Sequence, residues 1–230
     1  MTMKKILFVL TSHDRKGNTG QPTGFYLPEA AHPWAVLQAD GFEIDFVSPK
    51  GGTPPMDGAD SADPVSRRFL DSQEVVRKIG STPTPDQVNA SDYSAILFVG
   101  GHGTMWDFPD DQSLAKVATS IYEAGGVVGA VCHGPAALVN LKLSDGEYLV
   151  KGKQVAAFTD DEERAVNLDG VVPFLLATTL RQRGANHRPA PNWQANVVVD
   201  GRLVTGQNPA SAEGVGQEIA RLLKTEQGDV

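Results

Sequence analysis

The chain has 230 residues, 28 acidic against 20 basic, and a formal net charge of −8 at neutral pH. That length suits one α/β domain with a substantial core, and the acidic balance, with no local basic patch, argues against a nucleic-acid partner. A single cysteine excludes an internal disulfide framework, no apolar run approaches the roughly 18 residues of a membrane span, and the start Met1-Thr2-Met3-Lys4-Lys5 lacks the length and cleavage site of a signal peptide, so a soluble, cytoplasmic protein is expected.

In chain order, Ile6 to Leu10 is a continuous apolar run of the kind found in a central parallel strand. A polar, glycine-containing loop from Thr11 through Gly24 follows. Pro28-Glu29 opens a helical stretch that Gly41 closes, with Pro33 expected to kink or restart it. Glu43 to Val47 reads as a second strand. Asp63-Pro64 is a cap followed by proline at the first helical position, and Val65, Phe69, Val76 and Ile79 predict one helix to Gly80. Ala95 to Val99 is a third buried strand, ending in Gly100-Gly101-His102-Gly103. Asp111 caps a helix that Gly125 ends.

Val127 to Val131 is a buried strand running directly into Cys132-His133-Gly134-Pro135 and the apolar Ala136 to Val139. Strand, sharp turn and helix make a nucleophile elbow with Cys in place of Ser. Beyond Asn140, Gln154 to Phe158 reads as a strand, Thr159 to Glu163 as a cap with an acidic first turn, and Val171 to Leu180 as a helix. Asp200-Gly201 between two apolar runs predicts a hairpin. Ser211 caps a final helix through Leu223, and the last few residues are expected to fray. No repeat or domain-length linker is present. The pattern predicts a single domain over residues 1–230, a doubly wound, mostly parallel α/β fold of the flavodoxin-like kind with helices on both faces. Ligands in such sheets sit at the carboxyl ends of the strands, which here carry Ser12 to Asp14, Gly100 to Gly103 and Cys132-His133.

Cys132 is the residue that can carry covalent chemistry. A helix N-terminus just beyond it favours thiolate over thiol. His133 can serve it as acid or base if the turn brings the two side chains together, and Glu162 or Glu163, past another strand end, can orient the histidine. Glu29 enters from the first strand's loop; held near a thiol in an apolar pocket, its pKa rises and it can shuttle protons. Backbone amides in Gly100-Gly101-His102-Gly103 can form an oxyanion hole. That stretch lacks the lysine of a phosphate loop, and Gly20 and Gly24 do not make a dinucleotide fingerprint. His13, His32 and His102 show no metal-ligand spacing, so no metal and no cofactor are expected.

These stretches resemble one family along most of the chain: Gly24 to Glu29 with His32-Pro33-Trp34, Phe46 to Gly52, Gly100 to Thr104 with Trp106 to Pro109, Ala130 to Pro135, Phe158-Thr159-Asp160, and Leu203 to Ser211. The chain resembles the PfpI-like branch of the class I glutamine-amidotransferase-like superfamily, and within it the glutathione-independent glyoxalases (glyoxalase III), which overlap with heat-inducible chaperones. The resemblance implies Cys132 as nucleophile, His133 beside it, Glu163 as the third member, Glu29 as the proton-moving carboxylate, and an oxyanion site near Gly101, His102 and His133. It implies a small 2-oxoaldehyde substrate, with methylglyoxal converted to lactate, and a homodimer. Glutamine amidotransferases carry a late histidine, whereas Gly206-Gln207-Asn208-Pro209 here has none, which argues against glutamine hydrolysis. The alternatives are a cysteine hydrolase, amidase or deglycase-like enzyme, and a holdase chaperone or oxidant sensor.

Overall fold

Strands that are apolar on both sides dictate a sheet covered on both faces. The computed structural model describes residues 4–59 and 62–225. Along the chain lie β1 (Lys5–Val9), β2 (Phe25–Tyr26), α1 (Leu27–Ala39), β3 (Glu43–Val47), β4 (Met56–Asp57), α2 (Pro64–Asp71), α3 (Gln73–Ile79), β5 (Tyr93–Phe98), α4 (Thr104–Asp107) and α5 (Gln112–Glu123). Then come β6 (Val127–Val131), β7 (Gln154–Val155), α6 (Asp160–Ala165), α7 (Leu176–Gln182), β8 (Asn186–His187), β9 (Val197–Asp200), β10 (Leu203–Gly206) and α8 (Ala212–Thr225). Six strands form the main sheet in the order β3-β1-β5-β6-β10-β9. Every pairing in it is parallel except the β9–β10 hairpin, where Asp200 faces Leu203.

Alternation along the strands divides the interior in two. Ile6, Phe8 and Leu97 pack against Trp34 and Leu37 of α1, Phe69 of α2 and Ile219 of α8. Leu7, Val9, Ile96 and Phe98 pack against Leu114 and Ile121 of α5 and Leu176 and Leu180 of α7. On the first face Phe8, Phe46, Phe69 and Trp34 make an edge-to-face chain with ring centroids 5.7, 5.9 and 5.3 Å apart, each pair adding about 1 kcal/mol to the burial itself. From β1 the chain crosses to β3 on one side and later returns to β5 on the other, so the strand order reverses beside β1. The carboxyl ends of β1, β5 and β6 open there.

Several local expectations give way to packing. Pro33 does not interrupt α1, which runs unbroken from Leu27 to Ala39; the buried proline lies against Gly216 of α8, where no side chain intervenes, and that contact holds the helix through its missing hydrogen bond. The single helix expected from Pro64 to Gly80 is two. Ser72 ends α2 and caps α3 through Val75 N–H, leaving Val76 on the solvent side. Of Gln154 to Phe158 only the first two residues pair as a strand. The rest is tied to the elbow instead, Ala156 N–H to Thr205 Oγ1 and Phe158 N–H to the Cys132 carbonyl. Helix α7 begins at Leu176, after Pro173, rather than at Val171. The segment after Cys132 is a five-residue 3-10 turn, Gly134–Leu138, not an α-helix. Pro135 supplies no N–H there and the whole turn is buried. The fraying expected at the carboxyl terminus concerns residues 226–230, which lie outside the described residues.

Candidate active site

Three strand ends and one helix converge on Cys132. The cysteine follows β6 with φ of +59°, a left-handed backbone that non-glycine residues seldom adopt. Its N–H donates to the Gly206 carbonyl and its own carbonyl accepts from Phe158, so neighbours on both sides fix the strained residue. Gly134 makes the bend possible, because a methyl group there would overlap the Phe98 carbonyl. Such a turn overcomes the usual divergence of sequence neighbours. The Cys132 thiol points at His133 Nδ1, 3.4 Å away.

On the far side of the ring, His133 Nε2 donates to Glu163 Oε2 at 2.7 Å, and His102 Nε2 donates to Glu163 Oε1 at 2.8 Å. Burial pushes Glu163 upward, but the two imidazoles outweigh it and hold the carboxyl near 2. Burial, with His133 close by, drops His102 to about 4, so its ring is neutral at physiological pH. A charged Glu163 therefore fixes the His133 proton on Nε2 and leaves Nδ1 free to accept from the thiol.

The adjacent glutamates occupy different environments. Glu162 completes the capping box of α6: its Oε2 accepts from Thr159 N–H and Oγ1 while its own N–H donates back to Thr159 Oγ1. Its Oε1 accepts from Trp193 N–H, Gln207 Nε2 and Asn208 Nδ2 at 2.9, 3.2 and 2.8 Å. Glu162 thus ties three segments together and has no contact with His133, whereas Glu163, one residue on, faces both histidines. Gln207 and Asn208, where a glutamine amidotransferase would carry its late histidine, are spent on this cross-link.

Glu29 reaches the thiol from α1. It is completely buried, and among the described residues no group meets hydrogen-bond geometry with either carboxyl oxygen. The polar groups turned toward it are the Cys132 thiol and the Gly100 amide. Burial raises Glu29 to about 8, with the thiol and the amide only partly offsetting it. A side chain at position 100 would overlap Glu29 Oε2 and the Val131 carbonyl, so glycine is needed for the carboxyl to lie where it does. The expectation of a resting thiolate is corrected. Burial first, and then the nearby Glu29, push the Cys132 thiol well up, while the short 3-10 turn beyond it supplies little of a helix dipole. At neutral pH the pair rests as thiol and carboxylic acid.

Above these groups lies a cavity of about 400 Å3 lined by Tyr26, Glu29, Gly101, His102, Cys132, His133, Phe158 and Trp193, with Lys16, Gln21, Asp57, Val166 and Leu168 also on its walls. Among the described residues the N–H groups of Gly101 and His133 donate to no protein acceptor. The buried Thr104 hydroxyl lies 3.0 Å from both the Gly101 and the His133 carbonyls and shares its one proton between them, which ties the two loops together. This is the geometry of an oxyanion site. Of the residues singled out from the sequence, Cys132, His133, Glu29, Gly101 and His102 line this cavity and Glu163 stands behind the two histidines, whereas Glu162 and His32 are engaged elsewhere. His102, expected beside that site, also sends its ring to Glu163.

The chain matches the DJ-1/PfpI family over residues 22–222. It belongs to that family. It is 36% identical to the glutathione-independent glyoxalase HSP31 of Saccharomyces cerevisiae, across 97% of this chain and all of the relative. The crystal structure of glyoxalase III from Candida albicans superposes with a TM-score of 0.87 at 32% identity, over 96% of this chain and 97% of that one. The Rapid Encystment Protein of Francisella tularensis superposes with a TM-score of 0.93 at 38% identity, over 96% and 99%.

In this DJ-1/PfpI chain the nitrogens of His102 and His133 and a Glu163 oxygen lie within 4.8 Å of one another, a spacing that could hold a metal. Sequence spacing conceals the set because its members come from two strand ends and from helix α6. The donors fit a metal poorly in the arrangement seen: both Glu163 oxygens already accept from imidazole, and a metal on His133 Nε2 would move the ring proton to Nδ1 and remove the thiol's acceptor. Trp193 went unnoticed in the sequence because its loop shows no periodicity; a tryptophan among Pro, Asn and Gln at 189–196 is the one signal it offers. Among the described residues no helix is long and apolar enough to cross a membrane.

Two outcomes follow from the site's energetics. Glu29 is raised on folding, so the native state binds the extra proton between its ordinary range and about pH 8, and burying it costs stability as pH climbs through that window. Glu29→Gln therefore melts higher than the parent at pH 8, by the equivalent of on the order of 3–4 kcal/mol, and the gap closes toward pH 4; a gap that does not change with pH contradicts this. Glu162→Ala removes the acceptor of five donor contacts, four of them buried, and lowers stability by about 3 kcal/mol or more in denaturant titration.

Proposed function

We propose that this chain is a glutathione-independent glyoxalase that converts methylglyoxal, a small 2-oxoaldehyde, to lactate. The observation that carries the reading is the buried carboxyl of Glu29 facing the Cys132 thiol, with the Gly100 amide the other polar group turned toward it. A cysteine hydrolase needs the Cys132–His133–Glu163 arrangement but has no use for a second, neutral carboxyl on the other side of the sulfur. An isomerising enzyme needs that group to move a proton between adjacent carbons. The relatives named as glyoxalases support the same reading.

The reaction proceeds from the resting pair. His133 Nδ1 takes the thiol proton, and the imidazolium is stabilised by ionised Glu163. The sulfur adds to the aldehyde carbon while Glu29 protonates its oxygen, giving a hemithioacetal. Glu29, now a carboxylate, removes the hydrogen from that carbon. The electrons move toward the neighbouring carbonyl, and His133 protonates its oxygen to give an enediol. Amides of Gly101 and His133 hold the developing oxyanion. Glu29 returns the proton to the second carbon, and His133 takes the hydroxyl proton left on the first, forming a thioester. Glu29, left as a carboxylate, then takes a proton from water; the hydroxide adds to the thioester carbonyl, the carbon–sulfur bond breaks, and the His133 imidazolium protonates the departing sulfur, so the product acid leaves as lactate and the resting thiol and carboxylic acid are restored. The sum is addition of one water, with no redox change and no thiol cofactor.

Methylglyoxal turnover without added thiol is the test. Cys132→Ala loses lactate formation, at least a thousandfold, with an unchanged melting profile. Glu29→Gln loses turnover to a similar extent yet still forms the hemithioacetal, seen as a mass adduct on Cys132. An alanine variant of undiminished activity ends the reading. Because Glu29 must carry its proton when the sulfur adds, kcat/KM falls as pH rises through about 8; a rate still climbing well above that pH contradicts the assignment.

A further inference from the structure

The cavity is much larger than the substrate just proposed. Methylglyoxal has five heavy atoms and fills roughly 100–150 Å3 at water-like packing, against about 400 Å3 available. The unfilled part has an aromatic wall. The Phe158 ring lies 4.3 Å from that of His133, and the Trp193 ring lies 5.8 Å from that of Phe158, so aromatic surface runs from the reactive turn outward. Trp193 is 50% exposed and Val166 37%; with Met56 and Val76 they are the exposed large apolar side chains among the described residues, and these two both line this cavity. Apolar surface left in water beside a reactive group marks a place a ligand covers.

The way Trp193 is held strengthens the point. Its φ is +66°, a left-handed conformation that costs a bulky residue on the order of 1–3 kcal/mol. The buried carboxylate of Glu162 maintains it by accepting Trp193 N–H at 2.9 Å. A ring kept half in water on a strained backbone, by an anchor that is itself bonded to Thr159, Gln207 and Asn208, is positioned rather than merely tolerated. Across the cavity Lys16 and Asp57 lie 3.9 Å apart and offset each other's charge, so that side offers no net attraction for an anionic substituent.

We propose that the Trp193–Phe158 wall makes Trp193 a specificity-determining residue, selecting 2-oxoaldehydes whose second carbonyl carries a flat aromatic or bulky apolar group. The inference rests on the glyoxalase reading for its chemistry, but not for its geometry. Phenylglyoxal and methylglyoxal are compared by kcat/KM in the parent, in Trp193→Asn, which suits a left-handed backbone while removing the ring, and in Trp193→Phe. The phenylglyoxal-to-methylglyoxal ratio falls about tenfold in the asparagine variant, chiefly through KM, and the phenylalanine variant keeps most of it. A ratio unchanged within twofold in Trp193→Asn overturns the proposal. If the parent makes neither lactate from methylglyoxal nor mandelate from phenylglyoxal, the glyoxalase reading fails and the wall is judged by binding alone. In Cys132→Ala, 1-phenylpropane-1,2-dione then binds about tenfold more tightly than butane-2,3-dione, and adding Trp193→Asn abolishes the difference. Equal binding of the two diones overturns it.

Discussion

A carboxyl group sealed in the protein and faced by only a thiol and one backbone amide is the constraint around which this structure is arranged. Glu29 is fully buried, and among the described residues neither of its oxygens has a partner in good hydrogen-bond geometry. An ionised carboxylate there would be too costly, so the group keeps its proton to about pH 8. The cost is accepted throughout the neighbourhood: Gly100 gives up its side chain to make room, and Cys132 takes a left-handed backbone to bring its sulfur alongside. In the proposed reaction that same protonated acid supplies the first proton and, once ionised, moves the second.

The other side of the sulfur is governed by opposite electrostatics. Glu163 is also buried, but two imidazole N–H groups satisfy it and keep it charged. Two carboxyl groups near one thiol are thereby driven apart in pKa, one neutral and one ionised at neutral pH, the pairing that the proposed reaction uses as acid and electrostatic anchor. Glu162 acts at a distance from both. By capping α6 and drawing in Trp193, Gln207 and Asn208 it fixes the helix from which Glu163 projects and the loop that forms the cavity's outer wall.

Much of this was legible in the chain's letters, and the failures have physical causes. Strands β1, β3, β5 and β6 and the β9–β10 hairpin could be read because continuous apolar runs and Asp200-Gly201 are local signals. Cys132 and His133 could be singled out for the same reason, sitting at the junction of a run and a turn; Glu29, in the first turn of a helix, stood out through the family resemblance of Gly24 to Glu29. The choice between Glu162 and Glu163 could not be made locally, since it depends on contacts with residues 193, 207 and 208. Burial was the other hidden quantity. A nearby helix start suggested a thiolate, but desolvation and neighbouring carboxyls act from outside the local sequence and reverse that expectation. Pro33 failed to break α1 because its surroundings in α8, not its own propensity, decide the helix.

The protonation state of Glu29 can be observed without any substrate. Infrared difference spectra of the parent against Glu29→Gln, recorded across a pH series, isolate the carbonyl stretch of this one protonated carboxyl. The account requires that band at neutral pH and its loss with a midpoint near 8. A carboxyl already ionised by pH 6, titrating like an ordinary glutamate, would contradict it.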